Sequence, residues 1–136
     1  MAQTNATQQD GRRPARLWLR ICGVYNLFFG LVHFAFVYIW RHEAFWGALP
    51  QGLSALLDVF NVQMGVLLCL AGYLYLRHGD EIRATRLGRA FAAGMLVFWL
   101  ARAVDDLLWG VQPLWLAVLG LGAALHAIVV FKSRAR

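Results

Sequence analysis

Four long apolar runs, set apart by short polar or Gly/Pro-containing stretches, organise the chain. The first, residues 17–40, follows the basic group Arg12, Arg13 and Arg16 and ends in Arg41-His-Glu43. A cleaved signal sequence would have a shorter apolar core and a small-residue cleavage site, so this run reads as a retained membrane helix. Phe45-Trp-Gly-Ala-Leu-Pro-Gln-Gly52 has the turn formers and aromatics of an interfacial loop. The second helix is predicted over residues 53–76, ending in the tyrosines Tyr73 and Tyr75, and is followed by a polar loop up to Arg89 that carries four arginines.

The third run needs an argument about length. Arg89 and Arg102 are separated by only 12 residues, about 18 Å of helix against a hydrocarbon core of roughly 30 Å. Continuing through Arg102, Asp105 and Asp106 to Trp109 supplies the missing length and an aromatic anchor, so the helix is predicted over residues 88–109 and its charges lie within the membrane. A turn, Gly110-Val-Gln-Pro113, leads into the fourth helix, residues 113–131, with proline in its first turn. Residues 1–16 are expected to be a disordered basic tail, and 132–136 a second basic tail.

The fold class expected is therefore all-α: a polytopic membrane protein, a four-transmembrane-helix antiparallel bundle with short loops. Composition agrees, because 136 residues that are 60% hydrophobic and 15% charged exceed what a soluble domain of this size can hide. The net charge of +6 would suit a nucleic-acid partner, but the basic residues flank apolar runs, where they set topology instead. Arg12, Arg13, Arg16, Arg20, Arg77, Arg83, Arg86, Arg89, Lys132, Arg134 and Arg136 fall on one side and Arg41 on the other. That asymmetry puts both termini in the cytoplasm. Cys22 and Cys69 form no C-x-x-C pair and read as small buried hydrophobes.

Polar residues inside a spanning helix should face protein or water, so their spacing marks the inner faces. Gly23, Asn26, Gly30 and His33 recur at seam spacing in the first helix, and Asp58, Asn61, Gly65 and Gly72 in the second. Gly88, Ala92, Met95, Trp99, Arg102 and Asp106 follow in the third, then Leu119, Gly122, His126 and Val129 in the fourth. Counted from the outer interface, His33, Asn61 and Arg102 share a layer roughly 10 to 12 Å deep, with Asp58, Asp105 and Asp106 about one turn higher. Asn26 and His126 form a secondary polar pair in the inner half.

One arginine among three carboxylates leaves excess negative charge, which favours holding a proton, with His33 as the other balancing group. The layer His33, Asp58, Asn61, Arg102, Asp105 and Asp106 is thus a candidate site for a small ligand or protons on the periplasmic side. The competing readings are a closed salt-bridge network that fixes helix register, charges that snorkel to the nearby membrane surface, and a surface that pairs with another subunit. An accessory or structural subunit of a larger membrane complex, or a homo-oligomer, follows from these.

A third reading is a redox protein that uses quinone or haem. His33 and His126 differ in depth by roughly 9 Å, too much for two axial ligands of one haem, which leaves a single-ligand haem or a quinone. The set His33, Asp58 and Asp106 has ligand types but not the close spacing of a metal motif, so no metal is assigned. No G-x-S-x-G, H-E-x-x-H or phosphate loop occurs, which argues against an enzyme. Gly88-Arg-Ala-Phe-Ala-Ala-Gly94 reads as small-residue packing.

Gly30-Leu-Val-His33 and Asn61-Val-Gln-Met-Gly65, placed in the first two of four closely spaced spans, give the chain a pattern that resembles the small DoxX-like bacterial inner-membrane proteins. The resemblance covers most of the chain and implies a bacterial inner (cytoplasmic) membrane protein, in a group often linked to redox physiology. The Arg102-x-x-Asp-Asp106 element has no counterpart in that pattern, and no functional residue is carried over from it.

Overall fold

The structure, a computed structural model, describes residues 12–40, 42, 47–108 and 112–134. Residues 1–11 of the expected disordered tail, Arg41, residues 43–46, the anchor Trp109 with the next two residues, and 135–136 lie outside the described residues. Among the described residues the ordered elements are helical: α1 (Arg12–Trp40), α2 (Gln51–Arg77), the short α3 (Gly79–Ala84), α4 (Arg86–Leu108) and α5 (Pro113–Arg134). Four of them are long and apolar enough to cross a membrane, over Arg16–Ile39, Gln51–Arg77, Arg86–Leu108 and Pro113–Lys132. Large apolar side chains such as Leu31, Val66, Val97 and Leu121 are exposed along these helices, as a hydrocarbon solvent permits and water would not.

Local chemistry explains where the helices begin. α1 starts at Arg12, ahead of the expected boundary, since Pro14 lies in the first turn, where a missing N–H leaves no intrahelical bond unmade. α4 starts at Arg86 because Thr85 caps it: the Thr85 hydroxyl accepts from the Gly88 N–H at 2.9 Å and donates to the Glu81 carbonyl at 2.9 Å. α5 opens on Pro113, with the Gln112 carbonyl taking the N–H groups of Trp115 and Leu116. The segment read as a polar loop contains α3, whose buried Ile82 packs where a side chain on Gly88 would overlap the Ile82 and Glu81 backbone. Gly88 is therefore a packing glycine, whereas Gly94, expected to play the same part, is exposed, with no neighbour where its Cβ would be.

The chain divides into two compact units. One consists of Gly23–Leu74, the greater part of α1 and α2. Here glycines set the packing: a Cβ on Gly72 would come within 2.7 Å of the Gly23 carbonyl oxygen, and one on Gly30 within 2.9 Å of the Gly65 carbonyl. The two backbones approach as closely as small residues allow, the arrangement expected of a seam in an apolar solvent, where dispersion contacts replace the hydrophobic effect between helices. Cys69 rests its Sγ over Gly30, a small apolar filler and a free thiol.

The other unit comprises Met1–Cys22 and Tyr75–Arg136. α4 packs along α5 and α3 folds against the start of α4. Its interior is built from Leu19, Cys22, Tyr75, Ala92, Met95, Trp99, Leu119, Ala123, Val129 and His126, all buried. At one end Arg16 clamps Asp80 through Nε and Nη2 at 3.1 and 2.8 Å, and Lys132 stands 5.3 Å over the Trp18 ring.

Candidate functional site

The third apolar run carries its charges as expected along one helix, but the two adjacent aspartates take opposite surroundings. Successive residues of a helix are about 100° apart. Asp106 falls in line with Ala92, Met95 and Trp99 on the buried face and is only 8% exposed, while Asp105 falls in line with Gly94, Val97, Ala101 and Leu108 on the exposed face. Arg102 stands at the edge between these faces and reaches both, with Nη2 3.4 Å from Asp106 Oδ1 and Nη1 3.7 Å from Asp105 Oδ2. The contacts are the i+3 and i+4 pairs that helix geometry offers. The bond to Asp106 meets hydrogen-bond geometry, and the longer contact to Asp105 is mainly Coulombic.

One guanidinium serving two carboxylates leaves a formal charge of −1.

In the other unit, the expected site residues turn to their own helices. The Nδ1–H of His33 donates to the Phe29 carbonyl at 2.8 Å, and its ring meets Phe36 edge to face. Asn61 donates through Nδ2 to the Leu57 carbonyl at 3.1 Å. Both bonds close on the residue four positions earlier, the usual outlet for a polar side chain in a helix without water. Asp58, His33 and Asn61 are all half-buried. Asn26, by contrast, is completely buried.

His126 lies in the core of its unit with no exposure. Its Nδ1–H donates to the Gly122 carbonyl at 2.7 Å, and the imidazole lies between the Trp99 ring, stacked at 6.1 Å, and the Tyr75 ring, edge-on at 5.4 Å. Because a carbonyl oxygen only accepts, this bond places a proton on Nδ1.

Tyr75 is a core residue that the sequence reading did not single out. It is 1% exposed and packs on Phe91 and His126, whereas Tyr73 is half-exposed. The available signal was spacing, because Tyr75 continues the Leu68, Gly72 stripe at intervals of 4 and 3 residues. The Tyr75 hydroxyl is buried and makes no hydrogen bond among the described residues. Tyr75→Phe is accordingly expected to leave thermal stability unchanged or slightly raised, since it removes a buried polar group without breaking a bond. A loss of more than about 1 kcal/mol in a detergent unfolding assay would show that the hydroxyl has a partner.

No family model, curated protein or solved structure matches the chain.

Proposed function

We propose that the protein is a small inner-membrane bundle of four antiparallel helices, with both termini cytoplasmic, whose periplasm-side cluster of Arg102, Asp105 and Asp106 binds a proton or a small cationic ligand. Orientation rests on the arginine and lysine asymmetry of the flanks. The observation that carries the reading is Asp106: a carboxylate 8% exposed within an apolar span, sharing one guanidinium with Asp105. Ionisable groups in such positions are costly, and the excess negative charge gives this one a use beyond neutralisation. The likeness to the DoxX-like group enters this proposal only as a shared four-helix membrane scaffold.

The test is an infrared pH titration of the purified protein in lipid nanodiscs. A protonated carboxyl band that changes with pH in the wild type and is absent from Asp106→Asn supports the site. A spectrum unaltered by the substitution refutes it. Asp58→Asn and His33→Ala, titrated in the same way, test the polar residues of the other unit separately.

A further inference from the structure

We infer that two copies of the chain pair through the exposed face of α4, with Arg102 of each copy bonding Asp105 of the other. The inference rests on the reading that α4 crosses the bilayer and uses two residues of the proposed cluster, Arg102 and Asp105, but not Asp106, on which that cluster's test turns. Its starting point is that the side chains of Arg102 and Asp105 are 45% and 55% exposed, although both belong to a span apolar enough to face lipid. α4 is 23 residues long, about 34 Å, so Arg102, six residues before its end at Leu108, lies about 9 Å inside the helix terminus. Their mutual contact of 3.7 Å is longer than a hydrogen bond, and the same guanidinium also serves Asp106 at 3.4 Å. A charged pair left open to hydrocarbon is expensive, and a protein surface that supplies the complementary charges removes the cost.

The occupant follows from the sign pattern. A positive and a negative group three residues apart on one face are complementary to the same pair rotated by a two-fold axis. Two copies inserted in the same direction bring their α4 helices together in parallel, with the axis along the membrane normal. Position 102 of one copy then differs in height from position 105 of the other by about 4.5 Å, within the reach of an arginine side chain. Each Arg102 meets a foreign Asp105, and the second copy doubles the contact. Gly94 and Ala101 on the same exposed face let the backbones approach, since a Cβ on Gly94 would meet no atom of its own chain within 4 Å. Asp106 stays on the buried face and takes no part in the interface.

The pairing is tested by energy transfer between donor- and acceptor-labelled full-length chains in vesicles of phosphatidylethanolamine and phosphatidylglycerol, over a series of protein-to-lipid ratios. Wild type should self-associate. R102D alone and D105R alone should each weaken the pairing by about tenfold or more, because like charges then face each other. Mixed together, the two variants should pair again, since the R102D carboxylate meets Arg102 of no copy but the D105R guanidinium, and the remaining Asp105 meets the remaining Arg102. Recovery in the mixture is a result that an intramolecular role of either residue would not produce. Transfer at the random-mixing level for wild type, or no recovery in the mixture, overturns the inference. Should either charge variant fail to insert, Ala101→Phe decides: its exposed position spares the single chain, so lost pairing with unchanged helical content supports the interface, and undiminished pairing refutes it.

Discussion

Replacing Arg102 with alanine will destabilise the protein by about 3 kcal/mol, toward the lower end of what breaking a buried ion pair costs, because the guanidinium itself is 45% exposed. The loss comes from Asp106. Its carboxylate is 8% exposed and its bond to Arg102 is 3.4 Å long, so truncating the arginine leaves a charge with neither water nor a cation. The reverse change, Asp106→Asn, is milder, because an amide of the same shape still accepts a hydrogen bond and the arginine retains Asp105 at 3.7 Å. The double variant R102A/D106N should recover most of the stability lost in R102A, since it removes both the charge and its counter-charge. Guanidinium-induced or thermal unfolding of all three variants in one detergent provides the comparison. A double variant no more stable than R102A would show that Arg102 acts through packing or another partner.

The second large effect is expected at Gly72. A Cβ there would stand 2.7 Å from the Gly23 carbonyl oxygen and 2.9 Å from the Leu27 nitrogen, both backbone atoms that cannot swing aside. Gly72→Val must therefore separate α1 from α2 within their unit, at a cost of about 3 kcal/mol, the upper range for overpacking, with the dispersion contacts of the seam lost in addition. Gly120→Ala is the control. Nothing lies within 4 Å of that Cβ, and the higher helix propensity of alanine should make the variant about 0.5–1 kcal/mol more stable. Equal behaviour of the two variants would remove the steric argument, whichever way both moved.

The two effects differ in how far the chain announced them. Gly72 was visible as one of a series with Gly65, since small residues at seam spacing are a one-dimensional pattern. What spacing could not supply was the partner: Gly72 meets the backbone at Gly23 and Leu27, and Gly30 meets Cys69 and Gly65. The stripe Ala92, Met95, Trp99, Asp106 was legible in the same way, and those residues are buried. Arg102, counted in that stripe, is at its edge, because a long side chain reaches a neighbour from a position that a short one would have to occupy directly.

Gly94 shows where the small-residue pattern fails, and Tyr75 where hydropathy does. Gly94 shares a short glycine-containing segment with Gly88, yet a six-residue shift along a helix turns it to the exposed face. Tyr75 stands at the end of an apolar run, where tyrosines commonly anchor at the interface, and hydropathy alone does not separate it from Tyr73. α3 is illegible in the sequence for a different reason: at six residues it is too short to show periodicity, and it is held by Ile82 in the corner that Gly88 leaves open.

By itself the sequence determined the all-α class and four helices long and apolar enough to cross a membrane, because the length of an apolar run and the requirement to satisfy backbone groups without water are properties of the chain in one dimension. Only the tertiary structure decided which side chain of a neighbouring pair faces inward: Asp106 rather than Asp105, Tyr75 rather than Tyr73. The choice between adjacent positions depends on the rotation of each helix against the helices it packs on, and that rotation is set by contacts between residues distant in the chain.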